Sequence, residues 1–310
     1  MKCLVLGGGG FIGSHLAEAL LASGHEVAVF DHPGARYLGY LQTKGISVFT
    51  GDFLNQREAS LPLSGSDVIY HLISATVPQT SNDDPAFDVE ANVLGTLRML
   101  DEARKAGVKK IIFSSSGGTV YGIPQEIPIK ESHPTHPTSS YGICKLTIEK
   151  YLHLYWVLYG LDYNILRISN AYGDRQPARM TQGVISSFLD KTLRGDELII
   201  WGDGSVIRDY IYISDIVDAM MKVANYEGDH KIFNIGAGQG HSIKDIINSL
   251  EQILQRPLQL RYMPARKFDV PVNILDISRA MQYLAWEPRV GLQDGIFRTY
   301  EWALQNMDKR

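Results

Sequence analysis

The sequence predicts an α/β protein: a Rossmann-type, doubly wound parallel sheet with a smaller α/β C-terminal substrate domain. Three observations carry this. A short apolar segment runs directly into a glycine-rich turn and then a helix-period stretch. Apolar strands go on alternating with helical segments through the first half. A buried strand at 108–113 ends in three serines. Strands spaced by helices imply right-handed crossovers and parallel pairing, and ligands of such sheets bind at the carboxyl ends of the strands.

Residues 2–6 (KCLVL) form the first strand, the turn is Gly7-Gly8-Gly9-Gly10-Phe11-Ile12-Gly13, and a helix follows from Ser14 to Ala22. Gly8, Gly10 and Gly13 satisfy G-x-G-x-x-G, and Gly7, Gly10 and Gly13 the related G-x-x-G-x-x-G. Such glycines permit a tight turn and close approach of backbone to a pyrophosphate, while the helix N-terminus offers free N–H groups to the anion. A second strand, Val27 to Phe30, ends in Asp31, close to the spacing expected of a ribose 2′-OH ligand. A carboxylate accepts from the ribose diol and repels a 2′-phosphate, so NAD is favoured over NADP, although Arg36 lies nearby. The cofactor is expected to meet Gly7, Gly10, Phe11, Ile12, Gly13, Asp31 and His32.

Further strands lie at 46–49 and 67–72; the first leads into Gly51-Asp52-Phe53 and the second ends in His71-Leu72. Asp52, Phe53 and Leu72 join the expected cofactor set, with Asp52 reading equally as a cap for the next short helix. His71 reads as a structural residue at a strand end. Residues 86–106 are helical, and the strand at 108–113 runs into Ser114-Ser115-Ser116-Gly117-Gly118-Thr119-Val120-Tyr121-Gly122. That position puts the serines at the ligand crevice; a polar loop that merely satisfies backbone groups is the structural alternative. A proline-rich connection then delivers the chain to Ser139-Ser140-Tyr141.

Tyr141 and Lys145 are four apart on a helix running to Tyr159, so phenol and ammonium share a face. A nearby ammonium favours phenolate, so the pair is expected to pull the tyrosine pKa down and make it a general base. An ordinary surface Tyr-Lys pair is the bland alternative.

Composition bounds the function. The 310 residues are 45% hydrophobic and 21% charged, as in an ordinary globular protein. A net charge of −4 without a long basic run gives no sign of nucleic-acid binding. Cys3 and Cys144 sit in unrelated contexts, which implies neither disulfide nor metal cluster and fits a reducing compartment. The N-terminus reads as a first strand rather than a signal peptide, and no apolar run reaches the ~18 residues of a membrane span. A cytoplasmic protein without membrane partners is expected.

Taken with RISNAYG at 167–173 and RDYIYISDIVDA at 208–219, these motifs appear in an order that resembles the extended short-chain dehydrogenase/reductase family. Within it, the likeness is to nucleotide-sugar epimerases of the UDP-glucose/UDP-galactose 4-epimerase type. The resemblance implies a tightly held NAD and a UDP-hexose, plain or N-acetylated, passing through a transient 4-keto form. Tyr141 would take the 4-hydroxyl proton, Lys145 would hydrogen-bond the nicotinamide ribose, and a serine of the 114–116 cluster would bind the 4-oxygen. Gly117 stands where the family has Ser or Thr, so Ser116 is the expected catalytic serine, Ser115 the reserve, and Ser114 a cofactor neighbour. Asn170, Arg208 and Arg266 match diphosphate contacts, Asp269 a uridine-ribose contact, and Asn273 a position that gates sugar size.

Dehydratases of the family carry Asp-Glu in the serine loop and decarboxylases a Glu. Glycines and a threonine stand there, which leaves C4 epimerisation as the simplest chemistry. An NAD(P)-dependent 4-keto reductase or dehydratase of the same family is the alternative, and a catalytically silent NAD-binding regulator a third reading. The expected domains are 1–169, rejoined at about 208–235, for NAD, and mainly 170–310 for the nucleotide sugar. The helix at 139–159 is apolar on a second side (Ile143, Leu146, Leu154, Val157, Leu158), which suggests a homodimer through it and the helix at 86–106. Burial of that side within one chain is the competing account.

Overall fold

A computed structural model describes residues 1–177, 183–265 and 270–306. In chain order, β1 (Lys2–Leu6), α1 (Phe11–Ala22), β2 (Glu26–Asp31), α2 (Leu38–Thr43), β3 (Ser47–Thr50), the short α3 (Gln56–Ser60) and β4 (Val68–His71) come first. A helical stretch runs from α4 (Pro85–Asp88) through a π-helical turn (Val89–Leu94) into α5 (Gly95–Lys105). Then come β5 (Lys110–Ser116), α6 (Ser140–Tyr159), β6 (Asp162–Ile168), β7 (Asn170–Tyr172), α7 (Val184–Arg194), β8 (Leu198–Trp201) and β9 (Ile207–Tyr212). The remainder is α8 (Ile213–Ala224), β10 (Ile232–Ile235), β11 (Gly240–Ser242), α9 (Ile243–Leu254), β12 (Leu260–Met263), β13 (Val272–Asn273), α10 (Ser278–Leu284) and α11 (Leu292–Gln305).

Seven strands form the main sheet in the order β10-β6-β5-β4-β1-β2-β3. Pairing is parallel on both sides of β1 and onward to β3 and β5. Because β1 and β4 are covered on both faces, they read as unbroken apolar runs rather than alternating ones. Strand order reverses between β1 and β4, so their carboxyl ends open the crevice of a doubly wound sheet. Four smaller pairings lie outside it among the described residues: β9 with β11, β13 and β7, and β8 with β12.

The chain divides into two compact units. The first comprises Met1–Gly122, Pro134–Arg167 and Val217–Phe233, with Leu4, Leu6, Ile69, Ile111, Phe113 and Ile165 among its fully buried residues. Each such side chain contributes on the order of 1.5–3 kcal/mol. The second comprises Ile123–His133, Ile168–Ile216 and Asn234–Arg310.

Two details bear on function. Helix α6 starts at an N-cap, Ser139, whose hydroxyl accepts from Gly142 N, and ends at Gly160 in the left-handed region. The helix expected over 86–106 is helical throughout but not uniform. It widens at Val89–Leu94, where the Asn92 side-chain amide donates to the Asp88 carbonyl, 3.0 Å away. Among the described residues, no helix is long and apolar enough to cross a membrane, and no group of three or more side chains suited to a metal ion occurs.

Candidate active site

The site in the first unit is built where β1, β2, β4 and β5 end. After β1, Gly7 turns with φ +85°, and Gly7 N donates to Phe30 O at 2.8 Å. Any Cβ at Gly13 would lie 2.1 Å from Gly7 O, so α1 packs against the turn at a distance that only glycine allows. The N-cap of α1, Gly10, has no side chain to satisfy the first-turn N–H groups. Phe11 and Ile12 open the helix half-buried. A cradle of backbone N–H groups at a positive helix end suits a pyrophosphate, and the residues present fit NAD.

Asp31 closes β2 beside this turn. Its carboxylate accepts from Gly9 N at 2.9 Å and from His32 N at 2.8 Å. Burial pushes its carboxyl above the ordinary value, with the two backbone bonds acting in the opposite direction. Asp31 thus braces the glycine turn from within, a role its spacing did not announce. His32 is exposed, and its Nδ1 accepts from Gly34 N at 3.1 Å. Leu72, just past β4, lies against the turn: a Cβ on Gly7 would be 3.1 Å from its carbonyl carbon. Farther along, Asp52 Oδ1 accepts from Leu54 N at 2.9 Å in a local turn, and Asn55 rather than Asp52 caps α3, its Oδ1 accepting from Arg57 N at 3.2 Å. Phe53 stacks tilted on His71, 5.5 Å between centroids. His71 is buried between Phe53 and Phe113, and its Nε2 pairs with the Thr96 hydroxyl at 2.8 Å. Desolvation, with a smaller push from Lys145, lowers its pKa to about 3, so it stays neutral.

The three serines diverge. Ser114 O accepts from Lys145 Nζ at 2.9 Å, which holds the ammonium at the end of β5. Ser115 is buried and donates to Glu149 Oε1 at 2.5 Å, and Glu149 in turn makes bonds of 3.0 and 2.6 Å to the Arg167 guanidinium. That engagement places the Ser115 hydroxyl, expected as the reserve catalyst, in a buried ion pair and favours Ser116 over it. Ser116 is half-buried at the end of β5. The buried Thr119 hydroxyl has no hydrogen-bond partner among the described residues.

Tyr141 lies in the first turn of α6, with Lys145 Nζ 5.5 Å from its ring centroid and 4.8 Å from that of Phe113. The expectation of an acidified phenol is corrected. Burial pushes its pKa up to about 12, opposed by a hydrogen bond with Ser74 and reinforced by the Asp88 charge. Lys145 is itself desolvated, its pKa lowered to about 8 against the pull of Asp88, Cys144 and Glu149. Four-residue spacing brought the two together as expected but said nothing of burial, which dominates. Ser74 and Asp88 were missed. Ser74 lies just past β4, and the rule that ligands gather at strand carboxyl ends is the signal that points there. For Asp88 the sequence carries no local signal.

The second unit holds the residues matched to substrate contacts. Asn170 is in β7 rather than in a turn, and its Nδ2 donates to Asp209 O at 3.0 Å. Arg208 in β9 donates from Nη1 to Ile207 O and Val270 O at 2.9 and 2.6 Å, so part of its guanidinium is held by backbone. Asn273 in β13 pairs with Arg208 across the strands and is buried. Arg266 and Asp269 fall outside the described residues.

Residues 3–236 match the NAD dependent epimerase/dehydratase family. The UDP-glucose 4-epimerase of Mycolicibacterium smegmatis is 36% identical, with 97% of this chain and 98% of that one covered. A crystal structure of UDP-glucose 4-epimerase with UDP-glucose from Thermotoga maritima superposes with a TM-score of 0.94 at 35% identity, covering 99% of this chain and 100% of that one. A UDP-N-acetyl-alpha-D-glucosaminuronate decarboxylase of Bacillus cytotoxicus is 30% identical over 97% of both chains. With the glycine turn, Asp31 and the Tyr141–Lys145 pair set on a sheet of this order, the chain belongs to the NAD-dependent epimerase/dehydratase family.

Proposed function

We propose that the protein is an NAD-dependent UDP-hexose 4-epimerase, acting on UDP-glucose and UDP-galactose or their N-acetyl forms through a 4-keto sugar. The observation that carries it is the close Tyr141–Lys145 pair, its ammonium held at the end of β5 where Ser116 lies, on a loop without an acid. NAD, when bound, supplies the acceptor and later the donor of the C4 hydride, together with a positive charge. Tyr141 takes the proton of the 4-hydroxyl and returns it after the sugar has turned over. Lys145, held by Ser114 O, keeps its ammonium over the phenol's ring and favours the phenolate during transfer. Ser116 hydrogen-bonds the 4-oxygen.

Dehydration and decarboxylation each need a carboxyl group in the serine loop, and Gly117, Gly118 and Thr119 offer none. In this reading 1–169 with about 208–235 binds NAD, and the rest, through Asn170, Arg208, Arg266, Asp269 and Asn273, binds the nucleotide sugar. The protein works as a homodimer: Ile143, Val157 and Leu158 of α6 are 51–60% exposed, and Val89 and Leu94 of the π turn are exposed as well. That exposure supports a second copy covering the second α6 face over its burial within one chain.

Incubation with UDP-glucose and with UDP-N-acetylglucosamine, resolving C4 epimers by NMR, tests the activity. Interconversion without net consumption of cofactor is expected. Failure to convert either sugar with NAD bound overturns the reading, and stoichiometric NAD(P)H consumption points to a reductase. Sedimentation as a stable monomer at micromolar concentration overturns the dimer.

A further inference from the structure

Asp88 is fully buried at the end of α4 and is the centre of a polar cluster that the chemistry described so far leaves unused. Its Oδ2 accepts from the Ser140 hydroxyl at 2.6 Å, one residue before Tyr141. Its Oδ1 accepts from Asn92 Nδ2 at 2.7 Å and from the Thr76 hydroxyl. Asn92 Oδ1 in turn accepts from Ala75 N at 3.0 Å, so the segment after β4 is fixed at two points. That segment carries Ser74, whose hydroxyl donates to Thr76 O at 3.1 Å and shares a hydrogen bond with the Tyr141 phenol. Two further bonds bring the same segment to the start of α6: Ser140 N donates to Asn82 Oδ1 at 2.9 Å and Tyr141 N to Ser81 Oγ at 3.0 Å.

We propose that Asp88 is a positioning residue for the proton-transfer tyrosine, gripping through one carboxylate both the backbone position next to Tyr141 and the loop that carries its phenol's partner, Ser74. The inference rests on the reading of Tyr141 as the proton carrier. A buried carboxylate held by three donors is rigid, which is what a phenol needs if its oxygen is to meet a sugar hydroxyl in line. The carboxylate also acts through its charge. Tyr141, Cys144 and Lys145 of α6 are the titratable groups that face it, while the loop and the π turn present the neutral Thr76 and Asn92. Its negative charge raises the phenol pKa and stabilises the Lys145 ammonium, so it favours the protonated form of both partners.

Asp88→Asn keeps an acceptor for Thr76 and Asn92 and removes the charge; Asp88→Ala removes the grip. Steady-state epimerisation of UDP-glucose is measured for both across pH, beside the wild type. In parallel, the Cζ resonance of Tyr141 is followed in 13C-tyrosine-labelled protein and assigned by its loss in Tyr141→Phe. Asp88→Ala is expected to lower kcat roughly ten- to a hundredfold with KM nearly unchanged and to move the Tyr141 resonance. Asp88→Asn is expected to recover much of kcat and to carry the acid limb of the profile to lower pH. Wild-type kcat in both variants, or a uniform loss with an unmoved pH profile, overturns the proposal. Should the wild type fail to convert the sugar, the proposed function falls. The resonance then decides the positioning role by itself: an unmoved signal in Asp88→Ala overturns it, and a moved one supports it.

Discussion

The two sides of the end of β5 are made from adjacent serines and behave as opposites. On one side Ser115, Glu149 and Arg167 close a buried ion pair: the guanidinium is held bidentately, and Arg167 also lies 4.8 Å from the Tyr121 ring centroid. Burial works against the Arg167 charge, yet the Glu149 hydrogen bonds and charge more than offset it, leaving the guanidinium above its ordinary pKa. On the other side Ser116 is half-buried, the Thr119 hydroxyl has no partner among the described residues, and Tyr141 and Lys145 are desolvated so that each is pushed toward its neutral form. One side has its polar groups satisfied and is fixed. The other is under electrostatic tension, which in the proposed reaction a bound sugar and a positive cofactor would relieve. On that reading a run of three identical residues serves structure and chemistry at once, because a strand turns successive side chains to opposite faces.

That contrast can be broken by substitution. Tyr141→Phe should give the largest effect, a loss of roughly 10²–10⁴ in kcat at unchanged melting temperature; near-wild-type kcat would remove the tyrosine from the mechanism. Glu149→Ala should act on the other side of the ledger, destabilising by about 3–5 kcal/mol because it strands the Arg167 charge. Urea unfolding reads it, and a loss under 1 kcal/mol would mean that water reaches the guanidinium. Smaller and more telling is the serine pair. Ser115→Ala should cost about 1–3 kcal/mol of stability with kcat largely kept, whereas Ser116→Ala should cost roughly tenfold in kcat with stability kept, one hydrogen bond to the reacting oxygen being worth about that. Exchange of those two outcomes would assign the catalytic hydroxyl to Ser115.

A further effect is spread over pH. His71 is held neutral, with a folded pKa of about 3 against the ordinary 6.5. The unfolded chain therefore binds a proton that the folded chain refuses, and stability is lost as pH falls from about 6.5 toward 3. The slope is at most about 1.4 kcal/mol per pH unit. His71→Gln, which can still reach Thr96, should flatten that slope in urea titrations between pH 6.5 and 4. An unchanged slope would show that His71 is solvated.

Much of this was legible in the chain and some was not, for physical reasons. Glycine spacing, Asp31 and the buried strands are local signals, set by turn geometry and by side-chain periods, and the sheet order follows from crossover handedness. Tyr141 and Lys145 were found by helical spacing. Their protonation was misjudged because burial depends on residues far along the chain: Asp88 lies 52 positions from Ser140. Ser115 and Ser116 could not be told apart before it was known that Glu149 reaches one of them. Asn273, read as a gate, is buried beside β9, a placement that comes from strand pairing and leaves no trace in its neighbours.

The π-helical turn at Val89–Leu94 has a consequence for how insertions and deletions are tolerated. A wide turn is an α-helix carrying a surplus residue, and it sets the angular phase between α4 and α5. Excising one residue there would leave an ordinary helix with α4 still in phase, whereas forcing the full-length segment into α geometry would rotate everything before it by about 100°. Asp88 would swing away from Ser140 while α5 stayed in place against the sheet. The chain keeps the less regular helix because its phase, more than its hydrogen bonds, places the carboxylate.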